Sequence, residues 1–170
     1  MTSFVALLRG VNVGGIKVPM ADLRELAAGL GLDDVRTVLA SGNLLFTHDG
    51  ADAVELRRML EEALTERFSY AATVFVLPRD TLAAQAAAYP YRPREGWHDY
   101  LMIVDDAEVL AELVAVPTAA GEQTAAGDGC LYWQVERGLT LTSPVGKASG
   151  VRRVAQHVTN RNLNTIRKLV

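Results

Sequence analysis

The residues that could do chemistry lie in three separated blocks, and the first is the glycine-rich stretch at residues 7–17. An apolar run ends there in an arginine, and an asparagine, three glycines and a lysine follow. A glycine-rich turn between a strand and a helix leaves backbone N–H groups that can receive an anion, and flanking cations would add attraction. The candidate ligand-binding residues of this block are Arg9, Asn12, Gly14, Gly15 and Lys17.

This first block is not a recognised nucleotide motif. A Walker loop needs its glycine, lysine and hydroxyl residue in direct succession, because all three converge on phosphate and Mg²⁺. Here Ile16 separates Gly15 from Lys17, and Val18 replaces the hydroxyl. The structural alternative is a tight crossover in which the glycines only permit the turn and Arg9 pairs with a carboxylate such as Asp22 or Glu25.

The second block is Ser41-Gly42-Asn43, between two apolar strand segments. These residue types are typical of a turn or bulge. The functional alternative is a polar rim beside the first strand, and in a split βαβ sheet Asn43 would then approach Asn12. Ser41 and Asn43 therefore join the candidate site.

The third block is VTNRNLNTIRKLV, at residues 158–170. We expect a helix that starts here with Thr159 as its N-cap. Residues 161, 164, 165 and 168 would then share one polar face. Asparagine is a poor helix former, so three of them in one turn indicate either capping and loop contacts or recognition of a polar ligand. Thr159, Arg161 and Asn162 complete the candidate ligand site.

No arrangement of residues assigns a reaction. Cys130 is the single cysteine, which excludes an internal disulfide and a multi-cysteine zinc site. The three histidines lack metal-ligand spacing, and the sequence has no G-x-S-x-G or H-E-x-x-H motif. We therefore predict no metal and no cofactor, leave the catalytic residues unknown, and leave open whether the protein is an enzyme.

Charge and hydropathy limit the classes of partner that the protein can have. A net charge of −3 argues against strong nonspecific binding to nucleic acid and against a membrane-surface binder. No apolar run is long enough to span a bilayer, and the N-terminus has no signal-peptide pattern, so we expect a cytoplasmic protein. Whether the protein has protein partners is left open.

The pattern of apolar residues predicts an α+β fold of two subdomains. The first, residues 1–78, is a ferredoxin-like split βαβ unit (βαββαβ). The second, residues 79–170, is a smaller mixed unit with a C-terminal helix. The predicted strands are 4–8, 35–39, 44–47, 72–77, 100–104, 131–135 and 139–141, the last two forming a hairpin around Arg137-Gly138. The predicted helices are 19–31, 52–68 (capped by Asp52), 81–88, 107–114, 151–157 and 163–170, with 146–150 as a loop.

Together, ALLRGVNVGGIKVPMADL, LASGNLLF and TNRNLNT resemble a bacterial domain-of-unknown-function family, number sixteen ninety-seven. Its members carry LRGxNVGG, SGNxxF and TxRNxNT in this order. The resemblance extends over essentially the whole chain and implies an α+β fold of two subdomains, but no reaction. Our hypothesis is that the three blocks bind a small anionic or nucleotide-like ligand. The alternative is a protein-interaction or purely structural module with no small-molecule ligand.

Overall fold

A computed structural model describes all 170 residues, which divide into two compact units. Unit 1 contains residues 1–82 and 168–170, and unit 2 contains residues 83–167. The predicted division at 78/79 therefore lies four residues before the observed one, and the last three residues of the chain belong to unit 1. The overall class, a mixed α+β protein with two four-stranded antiparallel sheets and helices in each half, agrees with the prediction.

Unit 1 has the element order βαββαβ. Its elements are β1 (Thr2–Leu8), α1 (Met20–Gly29), β2 (Asp33–Thr37), β3 (Asn43–His48), α2 (Ala53–Phe68) and β4 (Val74–Pro78). The strand order is β2-β3-β1-β4, and each neighbouring pair is antiparallel. Helix α3 (Arg79–Ala87) follows and contains the boundary between the units. Strand β1 is therefore central, and its C-terminal end leads straight into the glycine-rich block.

The core of unit 1 follows from strand alternation. Every second residue of β1, namely Phe4, Ala6 and Leu8, belongs to the same buried cluster as Leu56 and Leu60 of α2. Helix α2 begins as predicted, because the Asp52 side chain accepts a hydrogen bond from the backbone N–H of Glu55 (2.9 Å). This packing fixes where β1 ends and hence where the glycine-rich turn begins.

Unit 2 repeats the strand arrangement of unit 1. Its elements are β5 (Trp97–Val104), α4 (Ala107–Val114), β6 (Gln123–Gly127), β7 (Cys130–Glu136), α5 (Pro144–Gly150), α6 (Arg152–Ala155), β8 (Val158–Asn162) and α7 (Leu163–Arg167). The strand order β6-β7-β5-β8 corresponds position by position to β2-β3-β1-β4. Alternate residues of the central strands, including Met102, Val104 and Trp133, pack with Val109 and Leu113 of α4.

The structure of the second half differs from the prediction in four main places. Residues 139–141 form turns rather than a strand, and the hairpin lies instead at Asp128-Gly129, between β6 and β7. Strand β6 was not predicted at all. The predicted loop 146–150 is part of α5, where the Ser143 hydroxyl accepts from the backbone N–H of Gly146 (3.1 Å).

The fourth correction concerns the third block. Residues 158–162 form strand β8, which pairs with β5, so Thr159 is not a helix N-cap. The helix begins only at Leu163, and the Asn162 side chain accepts from the backbone N–H of Asn164 (2.9 Å). Arg161 therefore lies on a strand and does not share a helical face with Asn164.

None of the helices combines the length and the apolar character needed to cross a bilayer.

Candidate functional site

The first and second blocks adjoin in unit 1. Strands β1 and β3 pair with Leu7 opposite Asn43, and the backbone N–H of Leu8 donates to the carbonyl of Gly42 (2.8 Å). Gly42 has φ +81°, and a Cβ built there would lie 2.6 Å from Cγ2 of Val11. Only glycine allows this close approach, so the second block is shaped to fit against the residues that follow β1.

Asn12 closes the glycine-rich turn. Its backbone N–H donates to the carbonyl of Ile16 (2.7 Å), and its side-chain oxygen accepts from the backbone N–H of Val18 (3.0 Å). Its side-chain Nδ2 donates to the carbonyls of Val18 (3.0 Å) and Ala40 (2.7 Å). The last bond ties the first block to the second. Asn12 has φ +56°, a left-handed conformation that asparagine tolerates better than most residues.

The Asn43 side chain is also engaged in hydrogen bonds within the protein. Its side chain is fully buried, and Nδ2 donates to the carbonyl of Val38 (2.8 Å) and to the hydroxyl of Ser41 (2.9 Å). The amide hydrogens of both asparagines are thus occupied by atoms of the protein. Their contribution to any site is to hold its walls in place.

The turn leaves other donors open. The backbone N–H groups of Gly14, Gly15 and Lys17 have no acceptor within the protein, and these residues are exposed. They line a groove of about 390 Å³ together with Asn12, Ile16, Pro19 and Ala40. The Lys17 ammonium is the formal charge in this wall.

Arg9 stands at the end of β1, and its backbone N–H donates to the carbonyl of Thr73 (3.0 Å). No carboxylate lies within 4.0 Å of the side chains of Arg9 and Lys17. The ion pair of Arg9 with Asp22 or Glu25, which the structural alternative predicted, is therefore absent. Both cations keep their charge available.

The third block lies in unit 2. Thr159 and Arg161 are on the face of β8 that neighbours Leu101 and Ile103 of β5, whereas the helix-covered core uses Met102 and Val104. The Arg161 guanidinium donates to the Thr159 hydroxyl (2.8 Å) and to the carbonyl of Asn160 (2.9 Å). Desolvation lowers the pKa of Arg161 to about 10, which leaves it charged at neutral pH.

Asn162, the third predicted residue of that block, lines a separate polar pocket of unit 2. Three arginines from other elements share this pocket and were missed at the sequence level. They lie in a loop, in a turn and at the end of a short helix, and no local sequence pattern joins them.

No set of three or more histidine, cysteine or acidic side chains is placed to hold a metal ion. A model of the DUF1697 family, described as proteins of unknown function, matches residues 1–132. The chain belongs to this family. The match includes the first two blocks and stops before the third.

A solved structure shows the same fold. The chain is similar to the conserved bacterial protein SP0830 from Streptococcus pneumoniae, with 26% identity and a TM-score of 0.82. The similarity covers 99% of this chain and 96% of that one, so the two share the fold over nearly their whole lengths. A comparison with curated proteins finds no match.

Proposed function

We propose that this DUF1697 protein binds the anionic part of a small, phosphate-bearing or nucleotide-like ligand in the groove above the glycine-rich turn of unit 1. The observation that carries the proposal is a turn closed from inside by Asn12 that leaves the N–H groups of Gly14, Gly15 and Lys17 without acceptors. Such donors, fixed before binding, cost little ordering entropy when an anion arrives.

The residues of the groove then have different roles. Gly14 and Gly15 supply backbone donors, and the Lys17 ammonium contributes charge and further donors. Asn12 and Asn43 position the turn, as their occupied amides indicate. The largely apolar remainder, including Ile16 and Pro19, suits an uncharged part of the ligand.

Some finer predictions accompany this proposal. That Arg9 adds to the attraction, that Ser41 forms a polar rim, and that Thr159 and Arg161 take part in ligand binding stay predictions, whereas Asn162 lines the separate pocket of unit 2. The ferredoxin-like description of unit 1 rests on its βαββαβ order with β1 and β3 central. A cytoplasmic location also stays a prediction, and no reaction is assigned.

A purely structural role is the second candidate, and the asparagine hydrogen bonds favour it. The side chains of Asn12 and Asn43 form hydrogen bonds to backbone groups, as is typical of residues that stabilise a turn. The two candidates differ in Lys17, because its charge has no structural partner. Removing Lys17 should cost binding under the first candidate and nothing under the second.

The test is thermal unfolding of the full chain with nucleotides, phosphorylated metabolites and carboxylates. A ligand at a hundred times its Kd stabilises the protein by about 2.7 kcal/mol, which raises the Tm by about 5–10 °C for a cooperative unit of this size. We expect one chemical class to give this shift and Lys17→Ala to lose it without melting earlier. Lys168→Ala, another exposed lysine of unit 1, is the control. If no class shifts the Tm, or Lys17→Ala responds like the wild type, the groove is not the site.

A further inference from the structure

Unit 2 contains a small pocket with three arginines in its wall. Arg94 lies in the loop before β5, Arg137 in the turn after β7, and Arg167 at the last position of α7. The pocket has a volume of about 180 Å³ and is lined mainly by polar groups. It shares no residue with the groove of unit 1.

The antiparallel sheet brings these distant residues together. Strand β5 begins at Trp97, which pairs with Glu136 near the end of β7. Strand β8 ends at Asn162, which pairs with Tyr100 of β5. The start of β5 and the ends of β7 and β8 therefore meet at one edge of the sheet. The loop before β5, the turn after β7 and helix α7 all extend from this edge.

The arginines in the wall are not neutralised. No carboxylate lies within 4.0 Å of Arg94, Arg137 or Arg167; the ion pairs of unit 2 are Arg153–Glu112 and His157–Asp105. Asp99 is the one carboxylate in the wall. Three guanidiniums and one carboxylate leave two positive charges around a small volume, and this excess of positive charge attracts an anion.

Asp99 does not offset the arginines directly. Its Oδ1 accepts hydrogen bonds from the Tyr89 hydroxyl (2.9 Å) and from Nε2 of Gln134 (2.8 Å). The Tyr89 pKa is raised, mainly by burial and then by this bond, so the phenol remains a donor at neutral pH. Asp99 is thereby anchored by neutral groups.

Arg94 is held in place before any ligand arrives. Its Cζ lies 3.5 Å from the centre of the Trp97 ring, and Nη2 donates to the carbonyl of Gly121 (2.6 Å). Gly121 has φ +78°, and a Cβ there would lie 2.7 Å from Trp97, so the contact requires glycine. The Nε of Arg94 is buried and has no partner in the protein, which leaves a fixed donor unsatisfied.

Two amides add neutral groups to the wall. Asn162 uses its Oδ1 to accept from the backbone N–H of Asn164 (2.9 Å), and its Nδ2 remains a donor. The Oδ1 of Asn164 lies 3.5 Å from Nη1 of Arg167, a long contact that leaves the guanidinium able to turn toward a ligand.

We propose that this pocket binds a phosphate group, either as inorganic phosphate or as the terminal phosphoryl group of a small metabolite. The volume is below the roughly 300–1,000 Å³ of pockets that enclose whole drug-sized ligands, so it fits one small group. A phosphate dianion balances the two excess charges. Its several oxygens match guanidiniums that approach from three elements, because arginine binds phosphate through parallel N–H donors. The pocket is independent of the groove in unit 1.

The test is calorimetric titration of the full chain with inorganic phosphate, at constant ionic strength set by chloride. We expect saturable binding that weakens roughly tenfold or more in Arg137→Ala and in Arg167→Ala, since each removes a charged donor. Arg137→Lys keeps the charge but loses the paired donors, and we expect an intermediate affinity. Both positions are exposed, so folding should survive. Arg152→Ala, an exposed arginine of unit 2 outside the pocket, should bind like the wild type.

A parallel titration with glycerol phosphate separates the two forms of the ligand: tighter binding than inorganic phosphate indicates a phosphomonoester, and weaker binding indicates the free ion. No saturable binding up to about 10 mM phosphate would overturn the proposal, because a built site for this ion should bind more tightly than that. Equal binding by acetate would overturn it too, as would loss of binding in Arg152→Ala. If Lys17→Ala lost phosphate binding while Arg137→Ala kept it, the anion would bind in the groove of unit 1. That result would refute the pocket and support the groove.

Discussion

Replacing Asn12 by alanine tests whether the glycine-rich turn is held in its observed form. The substitution removes three side-chain hydrogen bonds, two of them to the backbone of Val18, a fully buried residue. It also places alanine at φ +56°, where a Cβ is disfavoured. Asn12→Gly removes the same bonds but keeps the conformation accessible, so the pair separates the two costs.

The magnitude follows from these contacts. A hydrogen bond contributes about 0.5–1.5 kcal/mol net, and a buried backbone group left without a partner costs about 1–3 kcal/mol. Water can reach the exposed bond to Ala40, so we expect the two bonds to Val18 to dominate. We predict that Asn12→Ala lowers the free energy of unfolding by about 2–4 kcal/mol. Asn12→Gly should be less destabilising by about 1 kcal/mol, the left-handed conformational cost.

Urea unfolding followed by far-UV circular dichroism measures these differences. Tryptophan fluorescence serves as a second probe, because Trp97 and Trp133 both lie in unit 2 and report on that unit alone. Asn164→Ala is the control, since its side chain makes only the 3.5 Å contact to Arg167, and we expect a change within about 0.5 kcal/mol. If Asn12→Ala were as stable as Asn164→Ala, the turn would not depend on this amide, and the fixed donors of the proposed groove would lose their basis.

Two further predictions concern local conformation and charge. Gly42→Ala should lower the free energy of unfolding by denaturant more than Gly50→Ala does. Both glycines have a positive φ, but only at Gly42 would the new Cβ lie 2.6 Å from Cγ2 of Val11. Equal effects of the two substitutions would show that this contact is easily relieved. Asp106 caps α4, and its pKa is lowered chiefly by a hydrogen bond from the backbone N–H of Val109. The Asp106 charge therefore stabilises the fold above the ordinary pKa of 3.8, and this stabilisation disappears as the pH falls through the lowered value. Asp106→Asn keeps the acceptor but not the charge, and its stability deficit relative to wild type, measured across acidic pH, should shrink with acidification; a deficit independent of pH would contradict the assignment.

The elements specified by nearby residues were predicted well. Asp52 and the apolar spacing behind it mark α2, and residues 107–114 were predicted with the bounds that the structure has. The adjacency of the first two blocks was also predicted, because it follows from the strand order of a split βαβ sheet. For the two helices, the signal lies within the element itself, whereas the adjacency of the blocks follows from the predicted strand order.

The errors arose where pairing between strands outweighs local preference. Residues 158–162 carry helix-compatible cues such as Thr159, yet their hydrogen bonds go to β5. Strand β6, QTAAG, has little strand propensity of its own and forms because β7 lies beside it. The Asp128-Gly129 pair was a usable hairpin signal for that region. Likewise, Ser143-Pro144 is a helix-start signal that indicates α5.

The sequence by itself determined the two α+β halves, the glycine-rich turn after β1, and which side chains carry charge or amide groups. These properties depend on residue type and on short-range spacing. Only the tertiary structure decided what those groups do. The side-chain amides of Asn12 and Asn43 donate to backbone carbonyls, and Lys17 has no counter-ion. Three arginines that are far apart in the chain meet at one edge of a sheet. The physical reason is that hydrogen bonds and uncompensated charge are relations between atoms in space, and strand register fixes those relations over separations that no local pattern spans.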